Sequence, residues 1–243
     1  MALLECHVVS MRFGGAVALS SVDLTAEAGV ITGLIGPNGA GKTTLFNCIT
    51  GLLQPNSGLI VLDGETLNGL APFKRSRCGV ARTFQRLELF TSLSVRDNLR
   101  VAGDIASRWQ RDRVDPVRES ERIIDLLGIR HLADRDVTEI PTGMARRVEL
   151  GRALMTRPKI LLLDEPASGQ DEHETEEFGD LLLQLAADGT SILLVEHDVA
   201  LVMKVCSYIH VLNFGTILAS GTAAEICTDQ RVFDAYLGEE GVA

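Results

Sequence analysis

The 243-residue chain contains no C-x-x-C pair, and its five cysteines (Cys6, Cys48, Cys78, Cys206, Cys227) are scattered and odd in number. Neither a zinc site nor a disulfide framework is indicated, so the thiols are expected to be reduced and packed as small hydrophobes in a cytosolic protein. Basic residues are in deficit: 23 Lys and Arg stand against 33 Asp and Glu, a net charge of −10. Duplex binding draws on basic surface, so nucleic acid is excluded as the main partner. No apolar run approaches the ~20 residues that span a bilayer. Met1-Ala2-Leu3-Leu4-Glu5 lacks the basic and apolar regions of a signal peptide, and a soluble polypeptide is expected. Internal repeats and low-complexity linkers are also missing, and the length suits one large domain or two small ones.

What is present begins with Gly36-Pro37-Asn38-Gly39-Ala40-Gly41-Lys42-Thr43, a complete G-x-x-x-x-G-K-[ST] phosphate loop. Chance would produce the four fixed positions in roughly one chain of this length per hundred. Context sharpens the assignment. The apolar run Val30 to Ile35 precedes the loop and reads as a buried strand, while Thr44 to Ile49 follows it as the start of a helix. Glycines let the backbone turn its N–H groups inward on phosphate oxygens, and the helix N-terminus adds partial positive charge. Gly36 to Thr44 are therefore the candidate phosphate contacts. Lys42 is placed to reach the β- and γ-phosphates of a nucleoside triphosphate, and the Thr43 hydroxyl to ligate Mg²⁺.

The rest of the chain reads as α/β. Leu3 to Val9 and Val22 to Ala26 alternate like half-exposed strands, and Leu59 to Leu62 lies between turn signals. Residues 93–154 turn helical in spacing, and the mixed-charge piece Asp104 to Glu121 reads as a solvated helical surface. Strand character returns at Ile160 to Leu163 and Ile192 to Val195, flanking a crossover helix at Glu172 to Ala187. That arrangement implies a parallel, doubly wound sheet.

Ile160 to Leu163 runs into Asp164-Glu165-Pro166, placing two carboxylates at a strand's C-terminal end, where open α/β sheets bind ligands. Asp164 is the candidate to hold Mg²⁺ through its water shell. Glu165 is the candidate general base, a role typically contributing ~10²–10⁴-fold in rate.

With these motifs in place, the chain resembles an ATP-binding cassette ATPase over essentially its whole length. The resemblance implies a P-loop core with a parallel sheet, an N-terminal antiparallel β subdomain and an inserted helical subdomain. The corresponding partition is 1–92 and 156–220 for the nucleotide-binding core, 93–155 for the helical part and 221–243 for a C-terminal segment. Arg82-Thr83-Phe84-Gln85 is similar to the family's Q-loop, which implies that Gln85 touches Mg²⁺ and the attacking water. Ser168-Gly169-Gln170-Asp171 stands at the D-loop, with Gln170 in place of the usual leucine. Leu194 to Asp198 resembles the switch region, and His197 would contact the γ-phosphate. The other histidines (His7, His131, His173, His210) read as structural or surface groups. Phe13 occupies the position of the aromatic that stacks on adenine.

One motif departs from the family. Ile140-Pro141-Thr142-Gly143-Met144 stands where Leu-Ser-Gly-Gly-Gln meets ATP held by the partner subunit. Pro141 removes the serine hydroxyl and Met144 an amide. Gly143 and the helix expected at Ala145 to Met155 remain, and Thr142 offers a substitute hydroxyl. A hydrogen bond to charged phosphate is worth ~1.5–3 kcal/mol, so the composite site is either weakened or competent with Thr142.

Within the family, Arg82 to Gln85, Leu89-Phe90, Leu93 to Leu99 and the ending Arg231 to Glu240 resemble the ATPase subunits of branched-chain amino-acid importers. That kinship implies import of branched-chain or related amino acids, with urea or amides as the alternative. It also implies a second ATPase subunit (a heterodimer, given the altered signature), two membrane-embedded permease subunits, an external binding protein, and a place on the cytoplasmic face of the membrane. A soluble cassette ATPase acting on DNA or ribosomes would carry a coiled-coil insertion, zinc cysteines or tandem cassettes. An efflux pump would carry fused spans or a different Q-loop neighbourhood. Intact Glu165 and His197 argue against a non-enzymatic regulator.

Overall fold

The computed structural model describes residues 2–109 and 115–240, the side chains of 236–240 excepted. The chain opens with a long hairpin, β1 (Ala2–Phe13) and β2 (Ala16–Glu27). Both strands run well past the two short ones expected from alternation, and bulges explain why. Val8 and Ser21 have positive φ, and the register shifts around Val9. The Asp23 carboxylate there accepts from Val8 N–H at 2.9 Å, and Ser10 Oγ from Ser21 N–H at 2.9 Å. These side chains replace ladder bonds, so the period-2 pattern breaks while the strands continue.

The remaining elements follow as β3 (Ile31–Ile35), α1 (Lys42–Thr50), β4 (Ser57–Leu62), β5 (Glu65–Thr66), α2 (Pro72–Cys78) and β6 (Val80–Arg82). A helical layer then contains α3 (Val95–Ser107), α4 (Pro116–Leu126), a 3₁₀ turn (Arg130–Leu132) and α5 (Thr142–Leu154). The chain returns to the core through β7 (Ile160–Asp164), α6 (Glu172–Ala187), β8 (Ser191–Val195) and α7 (Val199–Val205). It ends with β9 (Tyr208–Asn213), β10 (Thr216–Gly221), α8 (Ala223–Thr228) and α9 (Gln230–Glu240).

Two sheets result. The smaller is antiparallel, in the order β2-β1-β4-β5, and the larger runs β10-β9-β3-β8-β7-β6. From β9 to β6 the larger sheet is parallel, and β10 closes its edge antiparallel to β9. Strands β3, β7 and β8 are buried at every position, which is why they read as unbroken apolar runs. Their side chains divide between two cores. Leu161, Leu163, Ile192 and Leu194 pack toward the helical layer and α6. Ile160, Leu162, Leu193 and Val195 pack toward α1 and the antiparallel sheet.

The crossover helix α6 has the expected bounds because its ends are written locally. Asp171 and Glu174 form a reciprocal capping box at its start. β6, β9 and β10 lie outside the expected strands. β6 has only three residues, too few to establish a period. Of the stretch expected to be a solvated surface, residues 110–114 fall outside the described residues. Glu119 within it departs from the expectation: it is buried on α4 between Arg122 and Arg157. These arginines supply the hydrogen bonds that let the carboxylate leave water.

Candidate nucleotide site

Sheet order explains how motifs far apart in sequence meet. Strands β3, β8, β7 and β6 are consecutive neighbours and all parallel, so their C-terminal ends form one edge. The phosphate loop leaves β3, His197 follows β8, Asp164 and Glu165 end β7, and Gln85 follows β6. The strands that carry the candidates are thus each one spacing, about 5 Å, from the next.

Two glycines of the phosphate loop have no substitute. Gly36 has φ 150°, and a Cβ there would lie 1.9 Å from the Leu212 carbonyl oxygen. Gly41 has φ 111°, and its Cβ would lie 2.6 Å from the Ala18 carbonyl oxygen. The loop is thus pressed between β9 and β2, which fixes the direction of its N–H groups. Helix α1 begins at Lys42, two residues earlier than expected, so Lys42, Thr43 and Thr44 all stand in its first turn. Lys42 is buried, and its Nζ donates to Gly36 O at 2.5 Å and Pro37 O at 2.9 Å.

At the end of β7 the backbone turns sharply, and Glu165 is held at φ 51° while its N–H donates to Val195 O at 2.9 Å. A non-glycine residue in this region is strained, and such strain concentrates at functional sites. The turn aims the Glu165 carboxylate between two other candidates. Its Oε1 lies 2.7 Å from His197 Nε2, and its Oε2 accepts from Gln85 Nε2 at 3.0 Å. Gln85, Glu165 and His197 therefore form one connected group. Asp164 is buried and accepts at Oδ2 from Arg82 Nη2 at 2.8 Å.

Glu196, adjacent to His197, plays a different part. It is buried and accepts from Ala167 N–H at 2.7 Å and from His197 N–H at 3.0 Å. Burial pushes its carboxyl above the usual range. It ties the turn after β7 to the turn after β8, and so holds Glu165 and His197 in register.

Phe13, at the end of β1, is 49% exposed and therefore belongs to no core. Thr142 and Gly143 open α5, which starts three residues earlier than expected, after Pro141. Their N–H groups are consequently among the four at a helix head that lack intrahelical partners. Thr142 is exposed, whereas Gly143 is covered by Glu174, whose carboxylate a Cβ would approach to 3.2 Å. Of the other histidines, His7, His131 and His173 are exposed. His210 is buried, its Nε2 donating to Thr25 O at 2.9 Å and its Nδ1 accepting from Ser220 Oγ at 2.8 Å. Among the cysteines, Cys6, Cys48 and Cys206 are buried free thiols, as expected, while Cys227 is exposed.

Several supporting residues carry no motif. Arg146 on α5 donates to Phe84 O at 3.0 Å and Gln85 O at 2.7 Å, and Glu149 accepts from Phe84 N–H at 3.2 Å. The helix behind Thr142 therefore grips the backbone that carries Gln85. Their i,i+3 spacing is visible in sequence, but nothing there indicates what they face.

The edge of four parallel strands, with a phosphate loop at one end, matches what known proteins show. The pattern of the ABC transporter family fits residues 19–168, more than half of the 243 residues. This chain belongs to the ABC transporter family. Its C-terminal residues 216–242 also fit the pattern described as branched-chain amino acid ATP-binding cassette transporter. The high-affinity branched-chain amino acid transport ATP-binding protein BraF of Pseudomonas aeruginosa is 39% identical, with 98% of each chain covered. LivG of Escherichia coli K12, with the same description, is also 39% identical over 98% of each chain. Among solved structures, the ADP conformation of MJ1267, an ATP-binding cassette of an ABC transporter, superposes with a TM-score of 0.88. It is 30% identical, and the match covers 98% of this chain and 99% of that one. As a transporter ATPase, the ABC chain binds nucleotide and hydrolyses ATP. No helix among the described residues is long and apolar enough to cross a membrane.

Proposed function

We propose that this chain is the ATP-hydrolysing subunit of an importer for branched-chain or closely related amino acids. The observation that carries the substrate class is the fit of residues 216–242 to the branched-chain pattern, beyond the general family. Kinship to BraF and LivG across the whole chain supports it. In this reading 1–92 and 156–220 bind nucleotide, 93–155 presents the altered signature and 221–243 forms the C-terminal segment.

ATP enters with its adenine on Phe13 and its phosphates along Gly36 to Thr44. Lys42 exchanges its bonds to Gly36 O and Pro37 O for phosphate oxygens. Thr43 hydroxyl, Asp164 carboxylate and the Gln85 side-chain carbonyl are all oxygen donors at one strand edge, a set suited to Mg²⁺. The ion would neutralise the β- and γ-oxygens as charge develops. Glu165 accepts the proton of the attacking water, with Gln85 and His197 fixing its two oxygens, and His197 also faces the γ-phosphate.

Thr142 and Gly143 meet the ATP held by a second ATPase subunit. Because Pro141 and Met144 depart from the usual signature, that second subunit is a related but different chain, and the dimer is asymmetric. The pair docks on two permease subunits at the cytoplasmic face of the membrane, fed by an external binding protein. The test is reconstitution with permease subunits and an external binding protein of the branched-chain type, with ATPase rate followed as ligands are added. Stimulation by leucine, isoleucine or valine supports the reading. Stimulation by urea or amides alone reassigns the substrate.

A further inference from the structure

Glu196 is a buried carboxylate directly after β8 that takes no part in the proposed attack of water. Burying a carboxylate is costly unless its oxygens are hydrogen-bonded. Here the two oxygens serve different segments. Oε1 accepts from Ala167 N–H at 2.7 Å, and Oε2 accepts from His197 N–H at 3.0 Å. Asp198 N–H adds a third favourable backbone group. Ala167 lies in the turn after β7 and His197 in the turn after β8. One side chain therefore spans two turns that are distant in sequence.

This link comes where the sheet stops. The β7–β8 ladder runs to Asp164 and Val195, followed by the bond from Glu165 N–H to Val195 O. Past it the two turns are joined by Glu165 with His197 and by Ala167 with Glu196. The turn after β7 is otherwise held from within. Ser168 N–H donates to Glu165 O at 3.2 Å, and Gln170 N–H to Ala167 O at 3.1 Å. Its outer part is open: Ser168 and Gly169 are exposed, and a Cβ on Gly169 would meet nothing within 4 Å. So thin a cover does not by itself hold Glu165 at φ 51°, because strained backbone persists only where its surroundings over-determine it. The bond from Ala167 to Glu196, two residues past Glu165, adds the missing constraint. The other oxygen of Glu196 fixes the backbone of His197, whose Nε2 lies 2.7 Å from Glu165 Oε1.

We propose that Glu196 is a positioning residue for the hydrolytic step: by anchoring both turns it sets the geometry of Glu165 against His197, and it does not hold nucleotide. The inference rests on Glu165 as the base. What the site requires is two acceptors at once. Glu196→Gln keeps the size of the side chain but offers a single oxygen, so one of the two backbone N–H groups would face another N–H. Glu196→Asp keeps both acceptors and the charge on an arm one methylene shorter. The phosphate loop is held separately, by its close approach to Leu212 and Ala18, so ATP affinity should survive either change.

The test is a double-mutant cycle of Glu196→Gln and Glu165→Gln, with ATP affinity, KM and the rate of phosphate release measured on each variant. Glu196→Gln alone should lower kcat roughly 10²-fold, the scale for a reacting group displaced by about 1 Å, with ATP affinity and KM within about threefold of the parent. Glu196→Asp should lower kcat less, roughly tenfold, and stands in should Glu196→Gln unfold. In the Glu165→Gln background the base is already gone. There Glu196→Gln should slow phosphate release by less than about threefold, a coupling that general loss of stability would not produce. A parental kcat in folded Glu196→Gln overturns the inference. So does an equal loss of ATP affinity and kcat, or a full ~10²-fold loss added to that of Glu165→Gln. Each of these leaves Glu165 in place as the base. Full turnover in Glu165→Gln alone, a separate arm of the cycle, would remove the base and this inference with it.

Discussion

Two helix N-termini face phosphate in the proposed mechanism, the head of α1 and the head of α5, and they are built on opposite principles. The head of α1 is dictated by backbone geometry. Gly36 and Gly41 sit against the Leu212 and Ala18 carbonyls with no room for a Cβ, and Lys42 is buried over the loop. The head of α5 is exposed at Pro141 and Thr142, and Pro141 caps it without a side-chain hydrogen bond. A site made by close backbone approach tolerates almost no substitution, whereas one made of exposed side chains can drift and leave its task to the helix N-terminus. The first should therefore fail abruptly on mutation and the second by degrees.

The largest effect is expected at the α1 head. Lys42→Ala and Gly36→Ala should each abolish measurable ATP binding, the first by removing the phosphate ligand and the second by forcing the loop off β9. Isothermal titration on the folded variants decides this. Near-native affinity in Gly36→Ala would show that the loop can relax, and would erase the contrast with α5.

A smaller effect is expected at Phe13, a side-chain contact to the same nucleotide. Loss of base stacking in Phe13→Ala should cost ~1–3 kcal/mol, or roughly 5- to 150-fold in ATP affinity, with Phe13→Tyr nearly neutral. Unaltered affinity would leave the adenine contact to another residue.

At the α5 head the change should be graded. With this chain carrying Glu165→Gln, so that only the partner's site turns over, Pro141→Ser should raise turnover by up to about tenfold. That ceiling corresponds to the lower end of one charge-assisted hydrogen bond, ~1.5 kcal/mol. A rate indistinguishable from the parent would mean that Thr142 and the helix N-terminus already suffice. Equal inhibition by the Glu→Gln change placed in either subunit would remove the asymmetry altogether.

The smallest predicted effect is on stability. Burial lowers the pKa of His210 below its ordinary 6.5, so the folded protein keeps it neutral where the unfolded chain takes up a proton. Stability should therefore fall as pH drops below 6.5, by up to about 1 kcal/mol per pH unit from this group. Glu149 and Glu196, both pushed up by burial, act in the opposite sense and add stability as pH falls through their raised values. Comparing melting curves of the parent and His210→Gln from pH 7 to 5.5 isolates the histidine. Identical slopes would mean that His210 titrates alike in both states.

The contrast between the two helix heads also marks what sequence could reveal. The phosphate loop, Asp164-Glu165 and the α6 bounds were legible because local geometry specifies them: glycine at forced φ, carboxylates after an apolar run, a capping box. The long hairpin β1–β2 was only half legible, since bulges at Val8 and Ser21 break the alternation on which strand reading depends. Arg82, Glu196, Arg146 and Glu149 were not legible as supports, because each acts on a segment distant in sequence or on bare backbone. Arg82 is a case in point: it sits three residues before Gln85, yet its partner Asp164 is 82 residues away.

The central claim is that Glu165, held between Gln85 and His197, is the base for ATP hydrolysis. The most direct measurement is paired nucleotide binding and phosphate release on Glu165→Gln. ATP affinity should remain within about twofold of the parent while phosphate release falls by at least ~10²-fold, the lower range for a lost general base. Full turnover in this variant would contradict the claim and move the base elsewhere, with Glu196, whose carboxylate accepts from His197 N–H, the next candidate.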